Sequence, residues 1–164
     1  MNGINKPLSK EISIFRGRYL VLSNFYEDRN YPFTFMGLTF ISAEPAYQSA
    51  KSLDPEIRKK FCNLHPREAK IYGNRIELRP NWDNIKDDIM YEVIRAKFSP
   101  HPALQQRLVD TYPSILIEGN TWHDNHFGSC SCLKCANKEK ENVLGKLLMR
   151  FRDEIIGAKI TFIS

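Results

Sequence analysis

Glu44, Gln48 and Lys51 are spaced by four and then three residues in the stretch SAEPAYQSAK. That spacing places all three on one stripe of a helix. A carboxylate there can steady a developing positive charge, an amide can hold hydroxyls, and a lysine amine can act as a nucleophile. The same three residues on a solvated face would be an ordinary surface stripe with a weak ion pair. The opposite stripe, Ala43, Ala46, Tyr47 and Ala50, is small or apolar.

Two further stretches carry chemistry. RPNWDN holds Arg79, suited to a phosphate, and Trp82, which either caps the core or offers a flat face to a base. TWHDNHFGSCSCLKC gathers two histidines, Asp124 and three of the four cysteines. Asp124 reads as a turn-forming side chain, a metal-site member or a general base, with the turn reading ahead for an aspartate in a polar loop. Cys130, Cys132 and Cys135, spaced C-x-C-x-x-C, supply three thiolates for a structural zinc whose fourth ligand would be His123, His126 or Cys62. The alternative is non-liganding thiols, because the pattern lacks the paired C-x-x-C of a zinc ribbon.

These residues must be placed by a fold, and the elements are legible. Residues 1–11 read as a polar, flexible leader. ISIFRGRYLVLSNFY reads as a strand, a turn at Gly17 and a second extended piece. FTF and LTF, joined at Met36-Gly37, read as a β-hairpin. Ser42, Glu44 and Pro45 mark a helix start. Asp54-Pro55 and Pro66 open two more helices, the second ending at Gly73-Asn74. NWDNIKDDIMYEVIRAKF has the clearest helical period and stops at Ser99-Pro100. PALQQRLVDTY is another helix, SILIEG a short strand, and KENVLGKLLMRFRDEII a final helix. The pattern predicts one helix-rich α+β domain over 12–164 with a small antiparallel sheet from its N-terminal third.

The chain has 164 residues, 42% apolar and 26% charged, a globular balance large enough for a core without staples. A net charge of +5 favours anionic partners, without the polybasic run of a nucleic-acid coat. No apolar run has the length of a transmembrane helix, and the N-terminus has no signal-peptide core. A cytoplasmic, reducing setting is therefore expected, with thiols rather than disulfides.

In order, FRG…LSNFY, SAEPAYQSAK, GNRIELRPNWDNIKDDIMYEVIRAKF, WHDNHFG and ENVLGKLLMRFR together resemble the NADAR (NAD and ADP-ribose) or YbiA-like family over residues 12 to 154. The resemblance implies an N-glycosidase. Members cleave ribose–nitrogen bonds in phosphoribosylated amines of riboflavin synthesis, or remove ADP-ribose from guanine in nucleic acid. The family's E-x-x-x-Q-x-x-K motif falls on Glu44, Gln48 and Lys51. Its S-N-F asparagine falls on Asn24, its helix-start Trp on Trp82, and its D-x-x-W-G loop on Asp124, Phe127 and Gly128. The resemblance implies a Schiff base on Lys51, with Glu44 and Asp124 sharing charge stabilisation and proton handling. Asn24 and Gln48 would hold ribose hydroxyls, Trp82 and Phe127 the base, and Arg16, Arg75 and Arg79 phosphates. No cofactor is needed for such a reaction.

Pro45 stands where many members have histidine, and Phe127 where they have tryptophan, which keeps a ring face and loses an indole donor. SCSCLKCANKEK replaces a glycine-rich loop of some members. The rival from another class is a non-catalytic, zinc-braced binder of ADP-ribose or related nucleotides. Oligomeric state is not encoded in these patterns.

Overall fold

The structure is a computed structural model that describes residues 10–161. Its chain forms two compact units, Arg16–Gln105 and, among the described residues, those before Arg16 and after Gln105. The α+β reading holds, and helices dominate.

In the first unit a 3₁₀ helix, Gly17–Leu22, leads to the hairpin of β2 (Phe33–Phe35) and β3 (Leu38–Phe40); β1 belongs to the second unit. Residues 19–22 were expected to be extended. They curl instead because Val21 and Leu22 both turn into the core, which an alternating strand would not allow. The hairpin follows expectation: Phe35 faces Leu38 across the turn, and Met36 and Gly37 adopt φ values of 47° and 80°. Both central residues at positive φ give the tight turn that matches strand twist.

Helix α1 (Ala43–Ser49) follows, then α2 (Pro55–Lys60), a 3₁₀ turn (Phe61–Asn63), α3 (Pro66–Gly73) and α4 (Trp82–Phe98). Asp54 caps α2 by accepting from the Glu56 and Ile57 amides. His65 and Glu68 form a reciprocal capping box on α3. Ser42 sits at the α1 N-cap, but its hydroxyl donates to the Asn24 carbonyl and caps no amide. All seven residues of α1 are buried. Helices α3 and α4 and the Phe61–Asn63 turn pack around it.

The second unit begins at β1 (Glu11–Ile12), which pairs in parallel with β4 (Ile115–Leu116). The leader is thus tied down at Lys10 and Glu11, Lys10 accepting from the Ile115 amide; residues 1–9 lie outside the described residues. β5 (Gly119–Asn120) pairs in parallel with β6 (Ser129–Cys130), and a 3₁₀ turn (Leu133–Cys135) precedes α6 (Val143–Thr161). Antiparallel pairing is confined to β2 and β3 among the described residues; the other two ladders are parallel. SILIEG does not form one strand. The ladder stops at Leu116, and Gly119 starts another where an added Cβ would lie 2.1 Å from the Ser13 carbonyl oxygen. The helix α5 (Pro102–Val109) spans the boundary between the units. Among the described residues no helix is long and apolar enough to cross a membrane.

Candidate functional site

Glu44 and Gln48 are where a solvated stripe would have been the ordinary outcome, yet they are only 6% and 4% exposed. A buried carboxylate is costly unless it is hydrogen-bonded. The Gln48 amide supplies such a bond, Nε2 donating to Glu44 Oε1 at 2.8 Å along the helix. Gln48 Oε1 is buried without a hydrogen-bond partner among the described residues.

Gly73, the last residue of α3, explains how α1 comes so close. A Cβ there would lie 2.0 Å from Gln48 Oε1 and 2.8 Å from its Cδ, so only glycine admits the amide. The same residue's carbonyl accepts from Lys51 Nζ at 3.2 Å, with Asn74 Oδ1 at 3.4 Å. One backbone position therefore abuts the glutamine and anchors the lysine. Lys51 is half-buried just beyond the end of α1. Burial pulls its amine below the usual lysine range; the Glu44 charge opposes this and that of Lys70 adds to it. A lysine so placed reaches its neutral, nucleophilic form at lower pH than a solvated one.

Asn24 is joined to α1 through its carbonyl, which accepts from the Glu44 amide at 2.9 Å and from Ser42 Oγ. Its buried side chain donates to Met90 Sδ at 3.3 Å. The segment carrying it is fixed by Lys97, 4% exposed, whose Nζ donates to the carbonyls of Val21 at 2.6 Å and Ser23 at 3.0 Å. Arg79 donates its amide to the Lys51 carbonyl at 2.6 Å, and its Nε is buried without a partner among the described residues. Trp82 is buried against Tyr47 of α1, ring centroids 5.3 Å apart, as the core-capping reading expects. Arg16 and Arg75 are exposed; Arg75 lines a groove on α3 with Lys60, Glu68 and Tyr72.

The remaining candidates belong to the second unit. Asp124 Oδ1 accepts from the amides of His126 at 3.1 Å and Phe127 at 3.0 Å, the side-chain turn that the sequence favours for it. Asn120 braces the same turn, donating from Nδ2 to the Asp124 carbonyl at 2.7 Å. Gly128 is the residue that lets these strands close: a Cβ would lie 2.5 Å from Asn120 Nδ2 and 2.6 Å from the Glu118 carbonyl oxygen. Phe127 is half-buried, edge-on to His126, which is itself paired with Glu141. Cys130, Cys132 and Cys135 come together with His123, their donor atoms all within 4.8 Å of one another. The four could hold a metal ion; Cys62 is on the Phe61–Asn63 turn of the first unit and not in the group.

Sequence reasoning missed Gly73, Asn74, Lys70, Met90 and Lys97 as parts of this arrangement. Gly73-Asn74 read only as a helix end, and Lys97 only as one position of a helical repeat. Their roles depend on which neighbours the fold delivers. The one advance signal was Lys97 falling on the apolar face of α4, among Val93, Ile94 and Phe98.

The N-glycosidase YbiA of Shigella boydii is 33% identical over 128 residues, 76% of each chain. The N-glycosidase Npun_R5314 of Nostoc punctiforme is 38% identical over 120 residues, 70% of this chain and 73% of that one. A maize chloroplastic riboflavin biosynthesis protein, PYRR, is 39% identical over 134 residues, 73% of this chain but 20% of its own. The NMR structure of Escherichia coli YbiA superposes with a TM-score of 0.77 at 29% identity, covering 96% of this chain and 92% of that one. The NADAR domain model matches residues 14–156, and the chain belongs to the NADAR domain family.

Proposed function

We propose that this protein is an N-glycosidase that hydrolyses a ribosyl C–N bond in a phosphoribosyl- or ADP-ribosyl-linked substrate, with Lys51 as the nucleophile. The enzyme class rests on the N-glycosidases to which the chain is similar. The observation that carries the mechanism is a half-buried Lys51, its amine depressed below the usual lysine range by burial, just beyond the end of the short helix that holds the buried Glu44.

In the proposed reaction the neutral Lys51 amine attacks the anomeric carbon as the C–N electron pair departs with the leaving nitrogen, which takes up a proton. Nζ, which has lost a proton after the attack, then gives its lone pair to the C=N bond as the ring C–O bond opens, and the ring oxygen is protonated. Water adds to this Schiff base, and expulsion of Nζ returns the free lysine and the ribose aldehyde. No cofactor enters. Glu44 stabilises the cationic sugar carbon, because a buried carboxylate acts strongly in a low-dielectric setting. Gln48 fixes Glu44, and its unpartnered Oε1 is an acceptor available for a ribose hydroxyl after a small shift. Asn24 is assigned to a second hydroxyl. Asp124, Phe127 and Gly128 are assigned to the substrate loop on the family resemblance, with Asp124 handling a proton. Arg79, with its unpaired Nε, is favoured for a phosphate over the exposed Arg16 and Arg75. Trp82, committed to Tyr47, is assigned to positioning α1 in preference to stacking on a base.

The small-molecule substrate is favoured by similarity to a riboflavin biosynthesis protein, with ADP-ribosylated guanine in nucleic acid the other class of substrate. Four free cysteines suit a reducing cytoplasm. The test is release of amine or base from a panel of ribosylated substrates, with borohydride trapping followed by peptide mass spectrometry. The proposal expects reduced ribose on Lys51 and loss of turnover in Lys51→Ala and Glu44→Ala. Wild-type rates in both folded variants would overturn the mechanism, and nucleotide binding without turnover of any substrate would favour the binder.

A further inference from the structure

The cysteine-rich segment plays no part in the reaction above, yet its geometry is specific. Cys132 Sγ lies 3.2 Å and Cys135 Sγ 3.4 Å from His123 Nδ1. With Cys130, the four donor atoms all fall within 4.8 Å of one another. Zinc bonds of about 2.3 Å to sulfur and about 2.0–2.1 Å to nitrogen put the edges of a Cys₃His tetrahedron at roughly 3.5–3.8 Å. The observed spacings bracket that figure, so small side-chain adjustments suffice.

The backbone is arranged to deliver the four groups. Cys130 is brought in by the β5–β6 ladder, where it pairs with Asn120. Cys132 and Cys135 flank a single 3₁₀ turn, which places their sulfurs on one side of it. His123 has φ 70°, a left-handed conformation that is unfavourable for a residue with a Cβ. This conformation accompanies a ring whose Nδ1 meets the sulfurs of Cys132 and Cys135, although the residue is exposed. Cys130 and Cys135 are fully buried, and no two of the four cysteines are joined in a disulfide. Three buried or half-buried thiols around one imidazole have no apolar packing role that would require such convergence.

We propose that His123, Cys130, Cys132 and Cys135 form a tetrahedral zinc site that clamps the segment from Asn120 to Cys135. His126 stands outside the group of converging donors, its Nδ1 paired instead with Glu141. Soft thiolate ligands with one imidazole select zinc over hard cations. Four protein ligands leave no open position for water, so the ion is structural and does not enter the glycosidase chemistry. Its mechanical effect is on the Asp124 turn, which lies inside the closed segment. The inference is independent of the proposed activity.

The experiment uses the full chain purified from zinc-supplemented cells in chelator-free buffer. Elemental analysis should find one zinc per chain, and a thiol reagent should modify Cys62 rapidly but the other three only after chelation. Cobalt(II) added to chelated protein should give the intense visible bands of a tetrahedral thiolate complex. Chelation should also speed amide exchange across 120–135 while leaving α4 protected. His123→Ala and Cys132→Ser should each weaken zinc binding by at least about 100-fold, whereas His126→Ala and Cys62→Ser should not. Metal-free protein with four equally reactive thiols and no cobalt bands would overturn the proposal. So would unchanged zinc affinity in His123→Ala. If a ligand variant does not fold, the wild-type cobalt and thiol readouts still decide.

Discussion

Replacing Gly73 by alanine is the sharpest test of how α1 and α3 build the candidate site. Gly73 has no positive φ, so the substitution carries no backbone penalty of that kind and isolates the question of space. The new methyl would lie 2.0 Å from Gln48 Oε1, 2.8 Å from Cδ and 3.1 Å from Cβ. The amide cannot simply swing into solvent, because every residue of α1 is buried. It must leave its 2.8 Å bond to Glu44 or push the helices apart. Losing a hydrogen bond to a charged group costs about 1.5–3 kcal/mol, and overpacking a core costs about 1–3 kcal/mol. Alanine returns at most about 1 kcal/mol through helix propensity and a less flexible unfolded chain. The net expectation is a loss of about 1–3 kcal/mol, or a fall in Tm of roughly 2–12 °C for a chain of this size.

Urea unfolding of four proteins measures it: wild type, Gly73→Ala, Gln48→Ala and the double variant. In the double variant the methyl occupies space the amide vacated, so its cost should be no greater than that of Gln48→Ala alone. The coupling should be about 2 kcal/mol, in the range found for touching residues. Turnover should fall in Gly73→Ala, since Glu44 loses the Gln48 bond and any displacement of α3 carries the carbonyl of residue 73 away from Lys51. A Gly73→Ala protein within about 0.5 kcal/mol of wild type, or strictly additive costs in the cycle, would refute the reasoning.

Lys51 has a folded-state pKa below its unfolded value of 10.5, so over the interval between them the unfolded chain holds more protons. Stability contributed by this group therefore rises with pH through that interval. Lys51→Met should remove that slope and raise stability at neutral pH while abolishing turnover; denaturant unfolding of both proteins at neutral and alkaline pH checks it. The kcat of the wild type should rise with pH as Lys51 deprotonates, with its midpoint below the ordinary lysine range, measured by a pH–rate profile. Lys97→Met should destabilise by about 2 kcal/mol, since it strands the Val21 and Ser23 carbonyls, offset in part by relief of a buried ammonium. Thermal unfolding reads this directly. Gly128→Ala should cost about 1–3 kcal/mol through its collision with Asn120 and the Glu118 carbonyl. Amide exchange should localise the effect to the Asp124 turn, and protection spreading unchanged over 118–130 would contradict it.

Much of this molecule was decided by local chemistry and was legible in the sequence. Asp54 before Pro55, His65-Pro66 with Glu68, and the regular period of α4 mark helices through caps and spacing that act over a few residues. Met36-Gly37 marks the hairpin for the same reason. Lys51 lies just beyond the end of α1, but the stripe of Glu44 and Gln48 follows from helical geometry alone. Whether that stripe meets water or a neighbouring helix does not. Its burial depends on α3 arriving with a glycine opposite Gln48, a contact between residues 25 positions apart. Residues 19–22 likewise read as extended in the sequence, because their curl is set by where Val21 and Leu22 find a core. The C-x-C-x-x-C spacing names three thiols but cannot choose a fourth partner. His123 joins them because β5 and β6, segments separated along the chain, pair and set its loop against theirs. Periodicity and capping are properties of short stretches; burial, pKa and convergence of side chains arise only when distant stretches are packed together, and that is the part the tertiary structure decided.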